Sequence, residues 1–458
     1  MRYKPSGMDW ICLGHAGWLI EAAGLRLLCD PLLRADHYRG VFEVCPPRQL
    51  RAEQLRPDFI LISHQHPDHF DVPSLARLAE LDRESVVVTP DALVAEAAQT
   101  LGFTTVHQVA AGQRIELDGL TLVTTESLAL DEWGVMVATA DGVVWNQVDT
   151  VFDGPAHARA VLATGLAALG RERVDLALVQ GRPMHEIAAQ LGASIGFPYD
   201  EYAKLLAELA AISPAVIVPA STDTAHAEPF KWLNHVVYPV DEPRFVRDAA
   251  RACPAARVLA SRLGARYRVR AGEVSVAEDM SLIDVSGPTP DRSYRPFAIT
   301  PMHDHGERLE PDPRKPELRA WIESTLRDAL VAAYPEFGVR DPLRFVVEAV
   351  FPGQTPGQGE ALTLVIDRAG GRVEPGADPD WDLYNLVIGT MAAEVIAGRR
   401  AWGDLLLAGG LRAATRAYSV SERGLERANV GETFLYYGLS YEESTRSAVR
   451  WERGGDGG

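Results

Sequence analysis

The sequence predicts an α/β protein whose β-sheets are covered by helices, followed by a smaller α+β domain. From residue 8 to about residue 285, short apolar runs alternate with polar turns and with stretches of helical periodicity. Glycine, proline, aspartate and arginine then dominate residues 286–316, for example at Pro311-Asp312-Pro313, which predicts a linker. Helix and strand patterns resume beyond it, so residues 317–458 form the predicted second domain.

The elements of the first segment, residues 1–285, follow from apolar periodicity and turn residues. Short apolar runs bounded by glycine, proline or aspartate predict strands, and apolar residues at every third or fourth position predict helices. The predicted strands are Asp9–Leu13, Trp18–Glu21, Leu25–Cys29, Phe59–Ser63, Ser85–Thr89, Leu117–Thr124, Gly134–Ala140, Gly142–Trp145, Val174–Gln180 and Ala215–Pro219. The predicted helices are Pro73–Glu80, His157–Leu169 and Tyr199–Ile212.

The second domain shows helical and strand patterns in mixed order. An amphipathic pattern predicts a helix over Pro316–Ala333, and apolar runs predict strands over Arg344–Phe351 and Ala361–Asp367. We expect a long helix over Trp381–Arg399 and a short one over Trp402–Ala408.

Composition narrows the class of protein. Acidic residues outnumber basic ones by 63 to 45, a formal net charge of −18, which argues against nucleic-acid binding and against a polybasic membrane anchor. The four cysteines form no CxxC pair, as expected for reduced thiols in the cytoplasm. No apolar stretch reaches the roughly 18 residues of a membrane helix, and the N-terminus lacks a signal-peptide core. We therefore expect a soluble, cytoplasmic protein.

A dense group of metal-ligand side chains follows the predicted strand Phe59–Ser63. The run from His64 to His69 has the spacing H-x-H-x-D-H, with Pro67 stiffening it. A tight turn after a buried strand brings such side chains together, and imidazole with carboxylate suits zinc or iron, including paired ions. A solvated polar loop is the alternative, but it does not account for three histidines and an aspartate within six residues.

This run resembles the metal-binding motif of the metallo-β-lactamase superfamily. The resemblance implies an αββα sandwich that serves as a metal-binding catalytic domain. The ligands it implies are His64 and His66 for one metal ion, and Asp68 and His69 for the other. It also implies a bridging aspartate, and Asp149 follows the predicted strand Gly142–Trp145 at the matching place. An aspartate that merely caps a turn is the alternative for Asp149.

One ligand position departs from the pattern of the superfamily's zinc hydrolases. Those enzymes carry histidine after a strand like Leu120–Thr124, whereas the loop that follows here contains none. Glu126 is the nearest candidate, with Asp131 and Glu132 behind it. Carboxylate in place of imidazole shifts the preference of a site from zinc towards iron or manganese. That none of the three binds metal remains the alternative.

The final histidine that the resemblance implies has three candidates, His185, His226 and His235. Relatives place this ligand just after a strand like Ala215–Pro219, which favours His226. His235 is better explained as a structural residue, and His185 as a residue that supports the ligands. His15, after the first predicted strand, is a candidate for a catalytic role beside Asp68, with a purely structural histidine as the alternative.

A further resemblance covers the chain from residue 14 to residue 234. It is to the metallo-β-lactamase module of CMP-N-acetylneuraminate hydroxylase. The segments that carry it, in order, are Gly14-His15-Ala16, 29–33, Cys45-Pro46-Pro47, 58–64, 145–149, 192–198 and 226–234. That enzyme is an oxygenase fed by an N-terminal Rieske iron–sulfur domain. No paired Cys/His motif precedes His15 here, so we expect a separate electron-donor protein.

Two weaker resemblances complete the picture. The diiron β-hydroxylase of chloramphenicol biosynthesis has the same fold and uses glutamate where zinc hydrolases use histidine, a feature that Glu126 would match. The second domain is faintly similar to sterol-carrier-protein-2 domains, at Leu362–Asp367, 378–381, 398–404 and 408–411. Such domains contain an apolar tunnel.

The sequence thus favours one of two enzyme functions acting on a small molecule. The first is a non-haem diiron oxygenase that uses O2 and external electrons to hydroxylate or N-oxygenate its substrate. The second is a zinc- or manganese-dependent hydrolase of an ester, lactone, amide or phosphodiester, with Asp68 steering the proton. A degenerate, non-catalytic metal site is a third interpretation. A homodimer is the default expectation for the assembly.

Overall fold

Two β-sheets packed face to face form the centre of the first segment, and helices cover both outer faces. The computed structural model describes residues 7–297, 299–306, 314–337, 342–422, 424–428, 434–437 and 441–454. The four-layer αββα arrangement confirms the predicted fold class.

The strands of this segment are β1 (Met8–Gly14), β2 (Gly17–Ala22), β3 (Leu25–Cys29), β4 (Asp36–His37), β5 (Phe42–Val44), β6 (Arg48–Leu50), β7 (Phe59–Leu61), β8 (Val86–Thr89), β9 (Val106–Gln108), β10 (Arg114–Leu117), β11 (Leu120–Glu126), β12 (Trp133–Thr139), β13 (Gly142–Asn146), β14 (Leu176–Gln180), β15 (Val216–Ala220), β16 (Thr224–His226), β17 (Arg257–Val258), β18 (Ala265–Arg270), β19 (Glu273–Glu278) and β20 (Ile283–Val285). The helices are α1 (Ala52–Leu55), α2 (Val72–Leu81), α3 (Ala92–Leu101), α4 (Pro155–Leu169), α5 (Tyr199–Ile212) and α6 (Glu242–Ala252).

The first sheet has the strand order β19-β18-β1-β2-β3-β7-β8-β9, and the second has the order β10-β11-β12-β13-β14-β15-β17. Successive side chains of a strand point to opposite faces, so β1 contributes to two cores. Trp10 and Cys12 lie in the core between the sheets, whereas Ile11 and Leu13 pack with α2 and α3. Burial on both faces explains why strands such as β1 are continuous apolar runs.

Parallel pairing brings several strand ends to one edge of the sandwich. β7 runs parallel to β3 and β8, and β13 runs parallel to β14. The carboxyl ends of β3, β7 and β13 are followed by Asp30, by the histidine run and by Asp149, respectively. The topology therefore gathers the candidate ligands from both sheets at this edge.

The C-terminal segment contains a separate five-stranded sheet covered by helices, with the strand order β23-β22-β21-β24-β25. Its strands are β21 (Leu343–Val350), β22 (Glu360–Asp367), β23 (Gly370–Pro375), β24 (Leu383–Ile388), β25 (Leu411–Thr415), β26 (Tyr418–Ser421) and β27 (Gly424–Arg427). Its helices are α7 (Arg314–Trp321), α8 (Arg327–Ala333), α9 (Gly389–Ile396), α10 (Trp402–Leu407), α11 (Phe434–Tyr437) and α12 (Tyr441–Glu452). A single π-helical stretch, Ile322–Leu326, joins α7 to α8.

One predicted element of this segment is wrong. The long helix expected over Trp381–Arg399 is strand β24 followed by helix α9. β24 pairs in parallel with β21 and antiparallel with β25, and its buried residues Leu383 and Val387 alternate with half-buried ones. The sequence pattern merged two short elements because β24 ends at Ile388 and α9 begins at the next residue, Gly389, with no loop between them. Of the predicted linker, Pro311-Asp312-Pro313 lies outside the described residues.

The two segments share one apolar core. Phe42 and Leu233 of the first segment pack in the same cluster as residues of the C-terminal sheet and helices. Arg39 forms an ion pair with the buried Asp404, with Nη1 and Oδ2 3.0 Å apart. Helix α12 folds back against α2 and α3, where Arg446 pairs with Glu96 at 3.0 Å. The C-terminal segment is therefore part of the structure around the candidate site.

All four cysteines are buried and free. In the part of the chain that the structure describes, no helix is both long and apolar enough to span a lipid bilayer.

Two buried asparagines give a matched test of this packing. Asn385 on β24 is fully buried, and neither atom of its amide has a hydrogen-bond partner. Asn234 is equally buried, but its amide accepts from His226 N at 2.7 Å and donates to His226 O at 3.1 Å. We expect Asn385→Val to raise the free energy of unfolding by about 1–3 kcal/mol, because it removes an unpaired amide from the core.

Asn234→Val should instead lower the free energy of unfolding by about 2 kcal/mol or more, because it leaves the two backbone groups of His226 unpaired. Chemical denaturation followed by circular dichroism measures both changes. Destabilisation by Asn385→Val of the same size as by Asn234→Val would contradict the expectation.

Candidate metal centre

The histidine run forms the turn between β7 and α2. The amide N–H groups of His69 and Phe70 both donate to the carbonyl of His66, at 2.9 and 2.7 Å, and close the turn. Asp71 then caps α2 by accepting from the Ser74 N–H at 3.0 Å. These local bonds hold the side chains of the run close together.

Five side chains converge beside this turn. His69 Nε2 lies 3.2 Å from Asp149 Oδ2 and 3.4 Å from Asp68 Oδ2. His15 Nε2 lies 3.0 Å from Asp68 Oδ2. Two groups result, His15–Asp68–His69 and His64–His69–Asp149, and in each of them the ligand atoms lie within 4.8 Å of one another. The structure thus brings together five of the predicted site residues.

Asp149 reaches the cluster from a strained turn after β13. Val148, the residue before it, has a φ of +53°, a conformation that β-branched residues rarely adopt. Its N–H donates to Asn146 Oδ1 at 3.2 Å, which supports the turn. Strain of this kind costs about 1–3 kcal/mol and is found preferentially at functional sites.

Asp30, to which the sequence analysis assigned no role, orients two of the histidines. Its Oδ2 lies 3.0 Å from His69 Nδ1 and accepts from Ser63 Oγ at 2.8 Å, while Oδ1 accepts from Ser63 N–H at 2.8 Å. Since the Ser63 hydroxyl donates to Asp30, His64 Nδ1, 2.9 Å away, must be the donor to Ser63 Oγ. Both imidazoles then present Nε2 to the cluster, as in carboxylate–histidine–metal arrangements.

Tyr38 is a second residue that the sequence analysis missed. Its hydroxyl donates to Asp68 Oδ1 at 3.1 Å, while His15 bonds the other oxygen of the same carboxylate. Asp68 is therefore fixed from both sides. A lone tyrosine on a short hairpin carries no recognisable motif, so the sequence offered no signal for it.

The electrostatics of the cluster call for a cation. Burial disfavours a charged imidazole at His69, but Asp68 and Asp149 outweigh it and raise the pKa of His69 well above its usual range. Burial also opposes ionisation of Asp68 and Asp149, yet His69 holds the pKa of both carboxyls below its ordinary value. Burial, with His69 and His66 beside it, lowers the pKa of His64 well below its usual range.

The donor set fits a metal ion. The buried His69 Nε2 faces two carboxylates without making a hydrogen bond of good geometry. Ionised carboxylates with a neutral imidazole at His64 are the protonation states that metal binding requires. A divalent cation here would satisfy the carboxylates that otherwise draw a proton onto His69.

The three acidic candidates on the β11–β12 turn lie in different environments. Glu126 and Asp131 are exposed, whereas Glu132 is buried, with 7% of its surface accessible. Burial raises the pKa of Glu132 to about 7, opposed by the Ser127 hydroxyl and reinforced by Asp149. Of the three carboxylates, Glu132 is thus the buried one on which Asp149 and His69 act, although the sequence analysis preferred Glu126.

Of the remaining histidine candidates, His66 contacts the cluster, whereas the other three bond backbone carbonyl groups. His66 is exposed, with Nδ1 2.9 Å from His64 Nε2. His226 is buried, but its Nε2 bonds the carbonyl of Leu407 at 3.1 Å. The other two also bond carbonyl groups, His185 that of Gly196 at 2.7 Å and His235 that of Ser293 at 2.9 Å. The bond from His226 ties the C-terminal segment to the edge of the site.

Glu186 is a further acidic group near the cluster. It lines a cleft of about 580 Å³ together with residues of the 184–201 loop. Its side chain is exposed in this cleft, and Asp68 and Asp149 lie near enough for their charges to act on its carboxyl. Nothing in the sequence distinguished Glu186 from other loop glutamates.

Part of the chain is similar to a known protein family. Residues 10–151 match the family described as "Beta-lactamase superfamily domain". A putative Rieske 2Fe-2S iron-sulfur protein of Mycolicibacterium smegmatis is 35% identical over 85 residues, which cover 18% of this chain and 16% of that protein. A UPF0173 metal-dependent hydrolase of Carboxydothermus hydrogenoformans is 39% identical over 57 residues, 12% of this chain and 21% of that protein. The chain thus spans a small part of each relative's length.

Solved structures of similar proteins include enzymes of two kinds. CmlA, a diiron β-hydroxylase from Streptomyces venezuelae, is 18% identical, with a TM-score of 0.39, over 58% of this chain and 54% of that one. An isothiocyanate hydrolase from Delia radicum gut bacteria is 16% identical, with a TM-score of 0.41, over 57% and 98% of the two chains. The family match is confined to residues 10–151, and the sandwich described above is a metallo-β-lactamase fold.

Proposed function

We propose that the chain is a metal-dependent oxygenase with a dinuclear iron site. It would insert one oxygen atom of O2 into a small molecule, while two electrons from a separate donor and two protons convert the other atom to water. The observation that carries this proposal is the carboxylate content of the site, because Asp68 and Asp149 belong to the ligand groups and the buried Glu132 lies near enough for Asp149 to act on its carboxyl. Hard carboxylate ligands favour iron over zinc.

The residues that would hold the ions are His64, Asp68, His69 and Asp149, which belong to two groups that share His69. The buried Glu132 would add a further carboxylate. His66, though exposed, lies beside His64 and would join these ligands by a rotation of its side chain. His226, bonded to the C-terminal segment, is left out of this assignment.

The names of the mycobacterial relatives support the oxygenase over the hydrolase. The mycobacterial proteins that share 33–35% identity with part of this chain are named as putative Rieske iron–sulfur proteins. Rieske centres deliver electrons to other redox sites. The sequence that this chain shares with those proteins is therefore compatible with a metal site that receives electrons and activates oxygen.

The chain's own residues have defined tasks in such a reaction. When bound, iron supplies redox chemistry, whereas zinc or manganese would supply Lewis acidity. His15 and Tyr38 hold the Asp68 carboxylate from both sides. Glu186 lines the cleft, where its carboxyl would exchange protons with a bound substrate.

A hydrolase is the second candidate. The observation in its favour is the stretch of 57 residues that is 39% identical to a protein named a metal-dependent hydrolase. In that case Asp68 would steer the proton of the attacking water. Metal identity separates the two candidates.

Metal analysis of the purified protein tests the proposal directly. Purified without chelator, the protein should contain about two irons per chain and consume O2 after chemical reduction. His69→Ala should lose most of this metal, because His69 lies at the centre of both ligand groups. His107→Ala, which changes an exposed histidine on β9, should keep it. Two zincs per chain with no oxygen uptake would exclude the oxygenase and favour the hydrolase.

A pair of glutamate variants tests the assignment of Glu132. Glu132→Gln should lower metal affinity about 10–100-fold, because it removes a buried anionic oxygen from the site. Glu126→Gln should leave metal content unchanged, because that side chain is exposed. Competition with a chromophoric chelator measures both affinities. The reverse ranking would restore Glu126 as the ligand.

Asp30→Asn tests the orienting role of Asp30. The variant keeps the size of the side chain but weakens acceptance from Ser63 and His69, so we expect a loss of metal affinity of about 10–100-fold. Asp58→Asn is the control. Its carboxylate directly precedes β7, at the other end of the strand from the histidine run, and accepts from Arg26 N. Unchanged affinity in a folded Asp30→Asn protein would mean that the orientation of His69 does not depend on this carboxylate.

A further inference from the structure

A cavity of about 280 Å³ lies between the metal-binding turn and the C-terminal segment. Tyr38, Pro67 and Phe70 form its wall on the side of the metal-binding turn. Ala448 and Trp451 of α12 form the opposite wall. Because Tyr38 also donates to Asp68, the cavity shares a wall with the candidate metal centre.

The turn that carries Tyr38 is held in place by the C-terminal segment. Tyr38 and Arg39 have φ values of +48° and +51°, which are unfavourable for residues other than glycine. Arg39 donates to Asp404 Oδ2 at 3.0 Å, and its carbonyl accepts from Arg400 at 3.1 Å. The cavity is therefore built by contacts between the two segments, rather than left by loose packing.

The charges around the cavity favour an anion. Arg34, Arg39 and Arg399 line it, against Glu452 and Asp71. The Asp71 carboxylate is engaged in capping α2. Burial lowers the pKa of His37, which also lines the cavity, to about 3, so its imidazole is neutral. A surplus of arginine is unusual in a chain with a formal net charge of −18.

The three arginines differ in their freedom to meet a ligand. Arg39 is engaged with the buried Asp404. Arg34 and Arg399 are 53% and 47% exposed and pair with half-exposed or partly exposed carboxylates, Asp36 and Glu394. Such exposed pairs contribute little to stability, so exchanging one carboxylate partner for another is inexpensive.

We propose that this cavity binds a small carboxylic acid with an apolar body. The body would lie between the Phe70 wall and Trp451, and the carboxylate would meet Arg34 or Arg399 at the rim. The volume is close to the lower end of the range for small-molecule sites, which suits a molecule with a single ring or a short alkyl chain. The binding itself does not depend on the reaction proposed for the metal centre.

Calorimetric titration of the full chain tests this proposal. The probes are 4-phenylbutyrate, octanoate and indole-3-acetate, each compared with its uncharged alcohol or amide analogue. We expect at least one acid to bind, and its uncharged analogue to bind about tenfold more weakly, because a charge-assisted hydrogen bond is lost. Failure of all three acids to bind at millimolar concentration, or equal binding of acid and analogue, would overturn the proposal.

Variants on α12 locate the binding. Ala448→Phe fills the cavity and should abolish binding, whereas Arg450→Phe, on the exposed face of the same helix, should leave it unchanged. Trp451→Ala removes one wall at little cost to folding, because Trp451 is 50% exposed, and should weaken binding about tenfold. Full binding in both Ala448→Phe and Trp451→Ala would place the ligand elsewhere and refute the proposed site. Measuring the metal content of each variant distinguishes this outcome from a failure of the metal centre.

Discussion

The hydrogen bonds of the Asp30 carboxylate are the interaction on which the candidate site depends most. Asp30 follows β3, whereas Ser63 and His69 follow β7, so its bonds fasten the ends of two neighbouring parallel strands. Through Ser63 the same carboxylate fixes the ring of His64. Because Asp30 is fully buried and has a φ of +39°, the surrounding fold must hold it in an unfavourable conformation.

A second constraint is the concentration of negative charge. Asp68 and Asp149 both have a carboxylate oxygen within 3.4 Å of His69 Nε2. Glu132 and Glu186 lie close enough for electrostatic repulsion from these carboxylates. Carboxylates gathered in this way repel one another unless a cation lies between them. The fold accepts this repulsion at one edge of the sandwich, where the strained turn at Val148 also lies. Strain and repulsion together mark this edge as selected for function rather than for stability.

The fold could be predicted from the sequence wherever one local pattern determined the element. Strand β3 and helix α5 have the predicted bounds, because turn residues delimit them clearly. Strand β24 could not be predicted, because its place in the sheet depends on pairing with β21 and β25, which are distant in sequence. The αββα architecture and the convergence of His64, Asp68, His69 and Asp149 followed from the motif and from the resemblance it carries.

The rest of the site depends on tertiary contacts that leave no local pattern. The local sequence does not distinguish Glu126 from Glu132, because both are glutamates near the same turn. Only the tertiary fold buries Glu132 and leaves Glu126 exposed. His226 lies just after strand β15 as expected, but the carbonyl of Leu407 occupies its Nε2. That contact comes from a residue 181 positions further along the chain. Tyr38 and Asp30 gain their roles in the same way, from partners remote in sequence.

The return of α12 to the first segment has a consequence for how the protein matures. The ribosome synthesises α2 and the metal-binding turn hundreds of residues before the helix that packs against them. Until α12 emerges, the wall that Ala448 and Trp451 form beside Phe70 and Val72 is missing. The pocket next to the metal-binding turn can therefore close only after α12 has been synthesised.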